Sequence, residues 1–454
     1  MHEREVARVG VVTTSYPRGP DDPAGSFVAD HVAWLRRQGL AVDVVCAGDQ
    51  ERPHRAWQDG VNVIPVQAPG ELFYRGGAPD LLERVLARTP NTKSSLHFAG
   101  RAQRLRDATT SLCFPRPKIN AGSSLRFFQA ARSAVYFCAV MTATVHRHIE
   151  RWDAIFAHWL VPSALTAALS KARRRGADQA GNRFVAVAHS GDVNLICNLG
   201  IASLVARVLR AKGARLVFVS QSLRRRFLSS VHGRSLRAWL QASSTVTPMG
   251  IDLARFRPLQ ARQSGPTHPF RILFLGRLVP IKGVDVLLQA IASVQSRHPI
   301  PLQLTIAGDG PHRAALERDA RELASHPRTA IEFLGQVTPG QRDELLARAH
   351  VLVLPSVPRP DGRTEGMPVT ALEAMAAGTP LIASRTGGLA ELPDRVATLV
   401  PPMQPAALAR ALVECERDPL AREHRAAAAA GYVQRFDWDR IGPRLWSGSI
   451  DPTI

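Results

Sequence analysis

The chain alternates short apolar runs of strand length with longer stretches of helical periodicity, and it repeats this alternation in both halves. The predicted strands lie at 6–12, 41–46, 61–66, 154–157, 183–188 and 215–219, and then at 271–275, 302–307, 331–334, 350–354, 380–383 and 398–400. Such alternation is typical of an α/β fold with a doubly wound parallel sheet. Because 454 residues exceed what one hydrophobic core usually supports, the sequence predicts two Rossmann-like domains.

The predicted domains meet where Pro, Gly and Ser cluster, near residues 258–269, between a predicted turn at Phe256 and the strand that follows. The first domain is expected to cover residues 1–260 and the second residues 270–435. A last segment, 436–454, opens a final helix at Phe436-Asp437-Trp438-Asp439.

Two cations follow the first strand of the second half. Arg277 stands directly after Gly276, and Lys282 lies in the loop before the next helix. Ligands of parallel α/β proteins bind outside the carboxyl ends of the strands, so both cations are expected to face a diphosphate. An exposed basic loop without a ligand is the alternative for this segment.

Two glutamates lie eight positions apart further along the chain. Glu365 stands in a glycine-bearing turn, and Glu373 lies in the following helix, about two turns or roughly 12 Å further along. Pro368 favours a first helical turn, so the backbone N–H groups of Gly366 and Met367 are predicted to be free donors for an anion. This spacing suits a bound nucleotide, although two surface glutamates beside a turn would have the same pattern.

One histidine also stands at the carboxyl end of a predicted strand. His189 follows the run at 183–188 and precedes Gly191 and Asp192. A lone histidine is more often structural than functional, but this placement makes His189 a candidate for the cleft.

Taken in order, these motifs resemble family 4 retaining glycosyltransferases of GT-B fold. In the second half the resemblance rests on residues 246–258, on Gly276-Arg277 with Lys282-Gly283, and on Glu365 with Glu373. In the first half it rests on Tyr16-Pro17, Gly25-Ser26-Phe27-Val28, His158-Trp159 and His189-Ser190-Gly191-Asp192. The resemblance implies two Rossmann-like domains that face a cleft, with the last helix crossing back onto the first domain.

The resemblance also implies a role for each candidate residue. Arg277 and Lys282, with Gly276, Gly366, Met367 and Pro368 around them, would hold the diphosphate of a nucleotide-sugar donor. Glu365 would bind hydroxyls of the donor sugar and Glu373 those of the ribose. His189 would line the sugar side, and Gly25 would let the first loop approach the diphosphate or the acceptor.

No metal and no cofactor are expected beside the nucleotide-sugar substrate. No Asp-x-Asp pair stands at a predicted strand end to hold a divalent ion. Two cations and a helix N-terminus aimed at the diphosphate could stabilise the leaving group without one. The resemblance implies that the acceptor hydroxyl attacks on the face from which the diphosphate leaves.

The excess positive charge lies in the first domain. Residues 1–270 carry 37 Lys and Arg against 18 Asp and Glu, whereas residues 271–454 carry 21 against 20. Basic clusters at 101–106, 116–118, 171–175 and 224–226, interleaved with aromatic residues, predict contact with an anionic membrane surface. Solvated basic faces are the alternative, and no nucleic-acid-binding motif is found, so nucleic acid is not an expected partner.

The expected location is cytoplasmic, at the inner face of the membrane. The chain has no run of about 18 uncharged apolar residues, its first residues lack the apolar core of a signal peptide, and its five cysteines show no close pairing.

The predicted function is a metal-independent, retaining hexosyltransferase acting in cell-surface polysaccharide biosynthesis. It would move a sugar from a nucleotide-sugar donor to a glycan or polyprenyl-linked glycan. Two alternatives stay open: another enzyme on the same scaffold, such as an epimerase or phosphorylase, and a non-catalytic nucleotide-sugar binding protein.

Overall fold

The computed structural model describes residues 7–48, 60–67, 122–170, 183–260, 269–298, 300–324 and 326–447. The strands are β1 (Arg8–Val12), β2 (Ala41–Gly48), β3 (Val61–Gln67), β4 (Ala154–His158), β5 (Arg183–Ala188), β6 (Ala214–Phe218), β7 (Ser244–Val246), β8 (Phe270–Leu275), β9 (Leu302–Ala307), β10 (Thr329–Gly335), β11 (Val351–Leu354), β12 (Leu381–Ser384) and β13 (Thr398–Val400).

The helices of the first half are α1 (Ser26–Arg37), α2 (Gly122–His148), α3 (Leu165–Ser170), α4 (Ser190–Asn198), α5 (Ala202–Ala211), α6 (Gln221–Ser229), α7 (Arg234–Ser243) and α8 (Leu253–Gln260). Those of the second half are α9 (Val284–Arg297), α10 (Arg313–Ala324), α11 (Pro339–Arg348), α12 (Val369–Ala377), α13 (Pro405–Arg417), α14 (Pro419–Val433) and α15 (Trp438–Ser447). Short helical turns occur at Ile149–Arg151, Leu160–Ala164, Pro280–Lys282, Gly387–Glu391 and Gln434–Phe436.

The strands form two parallel sheets, with the orders β3-β2-β1-β4-β5-β6-β7 and β10-β9-β8-β11-β12-β13. The predicted fold class, α/β with two Rossmann-like doubly wound sheets, is therefore confirmed. In each sheet the strand order reverses beside the first strand, between β1 and β4 and between β8 and β11. Ligands of such sheets bind outside the strand ends at this reversal.

The predicted strands are confirmed to within two residues at each end, but two local features differ from the prediction. The short strand β7 was not expected, because Ser244 and Thr245 lack the apolar signal of the other strands. The stretch around Phe256 was expected to be a turn and forms α8 instead. Helix α8 packs against α11 and α12 of the second sheet, and Arg255 donates two hydrogen bonds of 2.7 Å to the Asp343 carboxylate.

The end of the described chain returns to the first sheet. Helix α15 contacts α1, and its buried Trp438 ring lies nearly parallel to the His31 ring, with 5.1 Å between the ring centroids. Gly250 makes room for this contact, since a Cβ atom there would lie 2.5 Å from the Trp438 ring.

Candidate active site

A cavity of about 780 Å³ lies between loops of the two sheets, a volume within the usual range for small-molecule sites. Six of the predicted site residues line it: Gly25, Gly276, Arg277, Lys282, Pro368 and Glu373. His189, Glu365, Gly366 and Met367 do not belong to its wall.

Glycines let the backbone form the cavity wall. Gly276 and Gly308, at the ends of β8 and β9, have φ angles of 155° and 141°. A Cβ atom on Gly308 would lie 1.8 Å from the Gly276 carbonyl oxygen, so no side chain fits between the two loops. Gly25 has a φ of 73° immediately before α1, and a Cβ atom there would meet the Ser15 carbonyl oxygen at 2.4 Å. Both turns therefore depend on glycine.

Lys282 and Glu365 form an ion pair at the edge of the cavity. The Lys282 Nζ atom donates to Glu365 Oε2 over 2.9 Å, and the side chains are only 17% and 12% exposed. Lys282 ends the helical turn Pro280–Lys282, and the Glu365 carbonyl oxygen accepts a hydrogen bond from Gly388 N–H over 3.1 Å. The structure thus brings together Lys282, which the sequence analysis assigned to the diphosphate, and Glu365, which it assigned to the donor sugar.

Glu373 lies in the cavity wall and is paired with a residue that the sequence did not indicate. Glu373 is 3% exposed, and its Oε1 atom accepts a hydrogen bond from Arg342 Nη1 over 2.8 Å. Arg342 also lines the cavity. No motif marks this arginine, because it stands in α11 among other charged residues.

The start of α12 differs from the prediction. Pro368 has an extended backbone (φ −65°, ψ 129°) and precedes the helix, which begins at Val369. Gly366 and Met367 pack against the backbone of Gly388, where a Cβ atom would lie 2.4 Å from the Gly366 carbonyl oxygen. Neither Gly366 nor Met367 belongs to the cavity wall, which contains Val369 and Thr370 at the helix N-terminus.

His189 ends a row of three histidines. His31 Nδ1 lies 3.1 Å from His158 Nε2, and His158 Nδ1 lies 3.3 Å from His189 Nε2. Burial lowers the pKa of His158 to about 3 and holds those of His31 and His189 well below their usual value. The three imidazoles are therefore neutral near pH 7.

Asp192 and Trp159 connect this row to the cavity, which both residues line. The Asp192 carboxylate accepts hydrogen bonds from the His189 N–H, over 2.9 Å, and from the Leu160 N–H. Burial raises the pKa of Asp192 to about 7. Trp159 has a φ of 71°, a strained backbone for a bulky residue, and its ring centroid lies 4.9 Å from that of His189. Strain of this kind is concentrated at functional sites.

Helix α6 joins the two domains beside Glu365. At its start, the Glu391 carboxylate accepts hydrogen bonds from the Gln221 and Ser222 N–H groups over 3.2 and 2.9 Å. One turn later, Arg226 donates to the carbonyl oxygens of Asp361 and Gly362. We call these contacts the α6 latch.

Two of the three arginines in the basic cluster predicted at 224–226 make contacts within the protein, whereas Arg225 is exposed. Arg226 belongs to the latch, and Arg224 donates to Ser244 Oγ over 2.9 Å and to the Gln241 carbonyl oxygen over 3.0 Å. The clusters at 101–106, 116–118 and 171–175 lie outside the described residues.

Within the described ranges, no group of three or more His, Cys, Asp and Glu side chains is placed to hold a metal ion. Of the helices that the structure describes, none is by itself long and apolar enough to cross a membrane. One pair joined by a 117° bend, Ser190–Asn198 with Ala202–Ala211, meets that test by length and composition.

Comparison with known proteins shows similarity to glycosyltransferases. Residues 269–418 match the family described as Glycosyl transferases group 1. Glycogen synthase of Mycobacterium tuberculosis is 37% identical over 203 residues, 44% of this chain and 46% of that protein. A GDP-mannose-dependent monoacylated alpha-(1-6)-phosphatidylinositol monomannoside mannosyltransferase of Corynebacterium glutamicum is 30% identical over 241 residues, 51% of this chain and 60% of that protein. The chain spans about half the length of the curated relatives that it matches.

The fold is similar to that of solved structures of other proteins. Anabaena HepE in complex with UDP-glucose superposes with a TM-score of 0.63 and 17% identity, covering 97% of this chain and 98% of that one. At this identity the likeness shows the fold alone. The two sheets and this likeness show a GT-B fold, and residues 269–418 are similar to a glycosyl transferase family.

Proposed function

We propose that the protein is a metal-independent, retaining glycosyltransferase of family 4 that uses a nucleotide-sugar donor. The observation that carries this proposal is that Arg277, Lys282, Glu373 and the N-terminus of α12 converge on one cavity between two Rossmann-like sheets. Such a set provides positive charge for a diphosphate and a carboxylate for hydroxyl groups.

The two cations would stabilise the diphosphate leaving group. Breaking a sugar–phosphate bond builds negative charge on the diphosphate, which Arg277, Lys282 and the α12 amides would stabilise. A unit charge pair about 4 Å apart is worth roughly 4 kcal/mol at an effective dielectric constant near 20. Two such contacts are enough for a large effect on rate.

The ion pair of Lys282 with Glu365 would couple diphosphate binding to sugar binding. In the structure each side chain neutralises the other. A bound diphosphate would attract Lys282, and the Glu365 carboxylate could then accept hydrogen bonds from hydroxyls of the donor sugar. His189 would lie behind Trp159 and Asp192 on the sugar side.

The first-domain wall suits a carbohydrate acceptor. Trp159 contributes an aromatic ring to the cavity wall, and Ser15, Asp22 and Asn198 contribute polar groups to it. Aromatic rings with a few polar neighbours are common in small-molecule sites. We propose a glycan or polyprenyl-linked glycan as the acceptor, and a role in cell-surface polysaccharide biosynthesis.

The proposed location is cytoplasmic, on the anionic inner face of a membrane. The charge of residues 1–270 supports it, as do the exposed Val135 and Tyr136 beside the exposed Arg132 on α2. We expect the full chain to sediment with vesicles containing phosphatidylglycerol and to be released as salt rises. Equal binding to vesicles of phosphatidylcholine alone would count against this location.

The test of the activity is a screen of the purified chain against UDP-, GDP- and ADP-sugars with excess chelator. We expect donor consumption that requires an added sugar acceptor, with the donor's anomeric configuration kept in the product, as measured by NMR. An inverted product would refute retention. Conversion of the donor without an acceptor would favour an epimerase, and binding without turnover would favour a non-catalytic binding protein.

A further inference from the structure

A turn at residues 359–363 brings a cation to the cavity that the sequence did not indicate. The Arg359 N–H donates to the Arg363 carbonyl oxygen over 2.9 Å, and the Gly362 N–H donates to the Arg359 carbonyl oxygen over 2.8 Å. The Asp361 carboxylate accepts hydrogen bonds from the Arg363 N–H over 3.0 Å and from Arg363 Nε over 2.6 Å. The Arg363 side chain, which is 20% exposed, is thereby held at the wall of the cavity.

The first domain holds this turn through Arg226. Arg226 Nη1 donates to the Gly362 carbonyl oxygen, and Arg226 Nη2 donates to the Asp361 carbonyl oxygen over 3.0 Å. The same Nη2 atom donates to Oδ1 of Asn198, which lines the first-domain side of the cavity, over 2.8 Å. Gly362 has a φ of 79°, and a Cβ atom there would collide with Arg226 Nη1, so the contact requires glycine. The position of Arg363 therefore depends on the contact between the two domains.

A phosphate group is the ligand that this arrangement suits. Arg363 stands two residues before Glu365, and the Glu365 carboxylate accepts a hydrogen bond from Lys282 Nζ over 2.9 Å. Two residues of extended chain span at most about 7 Å, so Arg363 and this ion pair border the same part of the cavity. A guanidinium group carries five N–H donors in a fixed fork that matches the oxygens of a phosphate group. Because the Asp361 carboxylate contacts Nε, it fixes the direction of that fork.

We propose that Arg363 binds a phosphate group in the cavity, and that Arg226 and Asp361 are positioning residues that hold it there. The inference rests on the proposed function, since it assumes that the cavity takes a phosphorylated ligand. The phosphate can belong to the nucleotide of the donor or to a phosphorylated acceptor. In either case the ligand binds more tightly when the domains are in contact, so its binding shifts the domains towards that arrangement.

The first arm of the test asks by calorimetry on the full chain whether the phosphate belongs to the nucleotide. UDP, GDP and ADP are titrated against the wild type, and the one that binds is then titrated against Arg363→Met. If the phosphate is the nucleotide's, this affinity should fall by roughly tenfold to 150-fold, the effect of losing a hydrogen bond between charged groups. Arg318→Met, on the exposed side of α10, is the matched control and should bind the nucleotide as the wild type does.

The second arm detects a phosphate that belongs to the acceptor. Inorganic phosphate is titrated against the chain saturated with the nucleotide, and its binding is followed by phosphorus NMR. If the phosphate is the acceptor's, the wild type should bind inorganic phosphate and Arg363→Met should not, while both bind the nucleotide equally. Unchanged nucleotide affinity in Arg363→Met, together with no phosphate binding that depends on Arg363, would overturn the inference.

Two double variants test the positioning and guard against a folding defect. Arg226→Gln combined with Arg363→Met should bind the ligand no more than about twofold more weakly than the weaker single variant, because Arg226 acts through Arg363. Losses that multiply would overturn the positioning role of Arg226. Arg363→Met combined with Asp361→Asn leaves no carboxylate without its partner and should show the same loss as Arg363→Met. Failure of the wild type to bind any of the three nucleotides would instead overturn the proposed function.

Discussion

Replacing Lys282 should separate the stability of the site from its chemistry. The Lys282 Nζ atom lies 2.9 Å from Glu365 Oε2, and the two side chains are 17% and 12% exposed. At this distance and an effective dielectric constant near 20, the attraction is about 6 kcal/mol, most of which offsets desolvation of the two charges. Lys282→Ala leaves a nearly buried carboxylate without its partner. We therefore expect the free energy of unfolding to fall by about 2–4 kcal/mol.

The same substitution removes a cation from the proposed diphosphate site. Loss of one group that stabilises developing charge costs about 2–4 kcal/mol of transition-state stabilisation, so kcat/KM should fall by roughly 30- to 1000-fold. Adding Glu365→Gln to Lys282→Ala removes the unpaired charge. The double variant should regain most of the lost stability, while its kcat/KM stays low.

Urea unfolding gives the stability of each variant, and steady-state transfer from the nucleotide sugar found in the screen gives kcat/KM. Arg318→Ala, an exposed arginine on α10, is the control and should change neither quantity. A double variant as unstable as Lys282→Ala would show that the ion pair is not the source of the stability loss. Recovery of kcat/KM in the double variant would refute the role of Lys282 at the diphosphate.

Three other predictions concern the contacts around the cavity. Arg226→Gln and Glu391→Gln each remove charge-assisted hydrogen bonds of the α6 latch, which are worth about 1–3 kcal/mol. If the nucleotide binds the domain arrangement that the latch holds, each variant should weaken nucleotide binding by roughly 5- to 150-fold in calorimetry. Unchanged nucleotide affinity in both variants would show that the latch does not contribute to nucleotide binding. Burial raises the pKa of Asp30 to about 7, and repulsion from Glu373 adds to this. A carboxyl whose folded pKa lies above its unfolded value stabilises the protein below the unfolded pKa, and that stability is lost as pH rises through the folded pKa. Asp192 has a similarly raised pKa, so Asp30→Asn should reduce but not abolish the decline in unfolding free energy between about pH 4 and 7. An unaltered slope in urea titrations would contradict the shift. Trp159→Ala should raise KM for a sugar acceptor about tenfold, the scale of an aromatic contact, while the affinity for the nucleotide stays the same. A matched loss in nucleotide affinity would show that the ring supports the donor side instead.

The local sequence was sufficient to predict the series of strands. It was also sufficient to place several candidate site residues at strand ends. Arg277 and His189 lie where the apolar runs before them end, because the chain leaves a buried strand at its first polar or glycine-bearing turn. Parallel strands bring such ends to one edge of a sheet. Gly25 and Gly276 could likewise be selected from the sequence, because a left-handed or closely packed backbone at these loops requires glycine.

Only the tertiary structure determined which of these residues meet. Lys282 and Glu365 are 83 positions apart, and Arg342 reaches Glu373 from a different helix. Their contact depends on the rotation of α11 and α12 about their own axes and on how the loops fold over the sheet, neither of which leaves a periodic signal. Pro368 shows the same limit on a smaller scale. Proline is compatible both with a first helical turn and with the extended residue before it, and the packing of Gly366 and Met367 against Gly388 decides between the two.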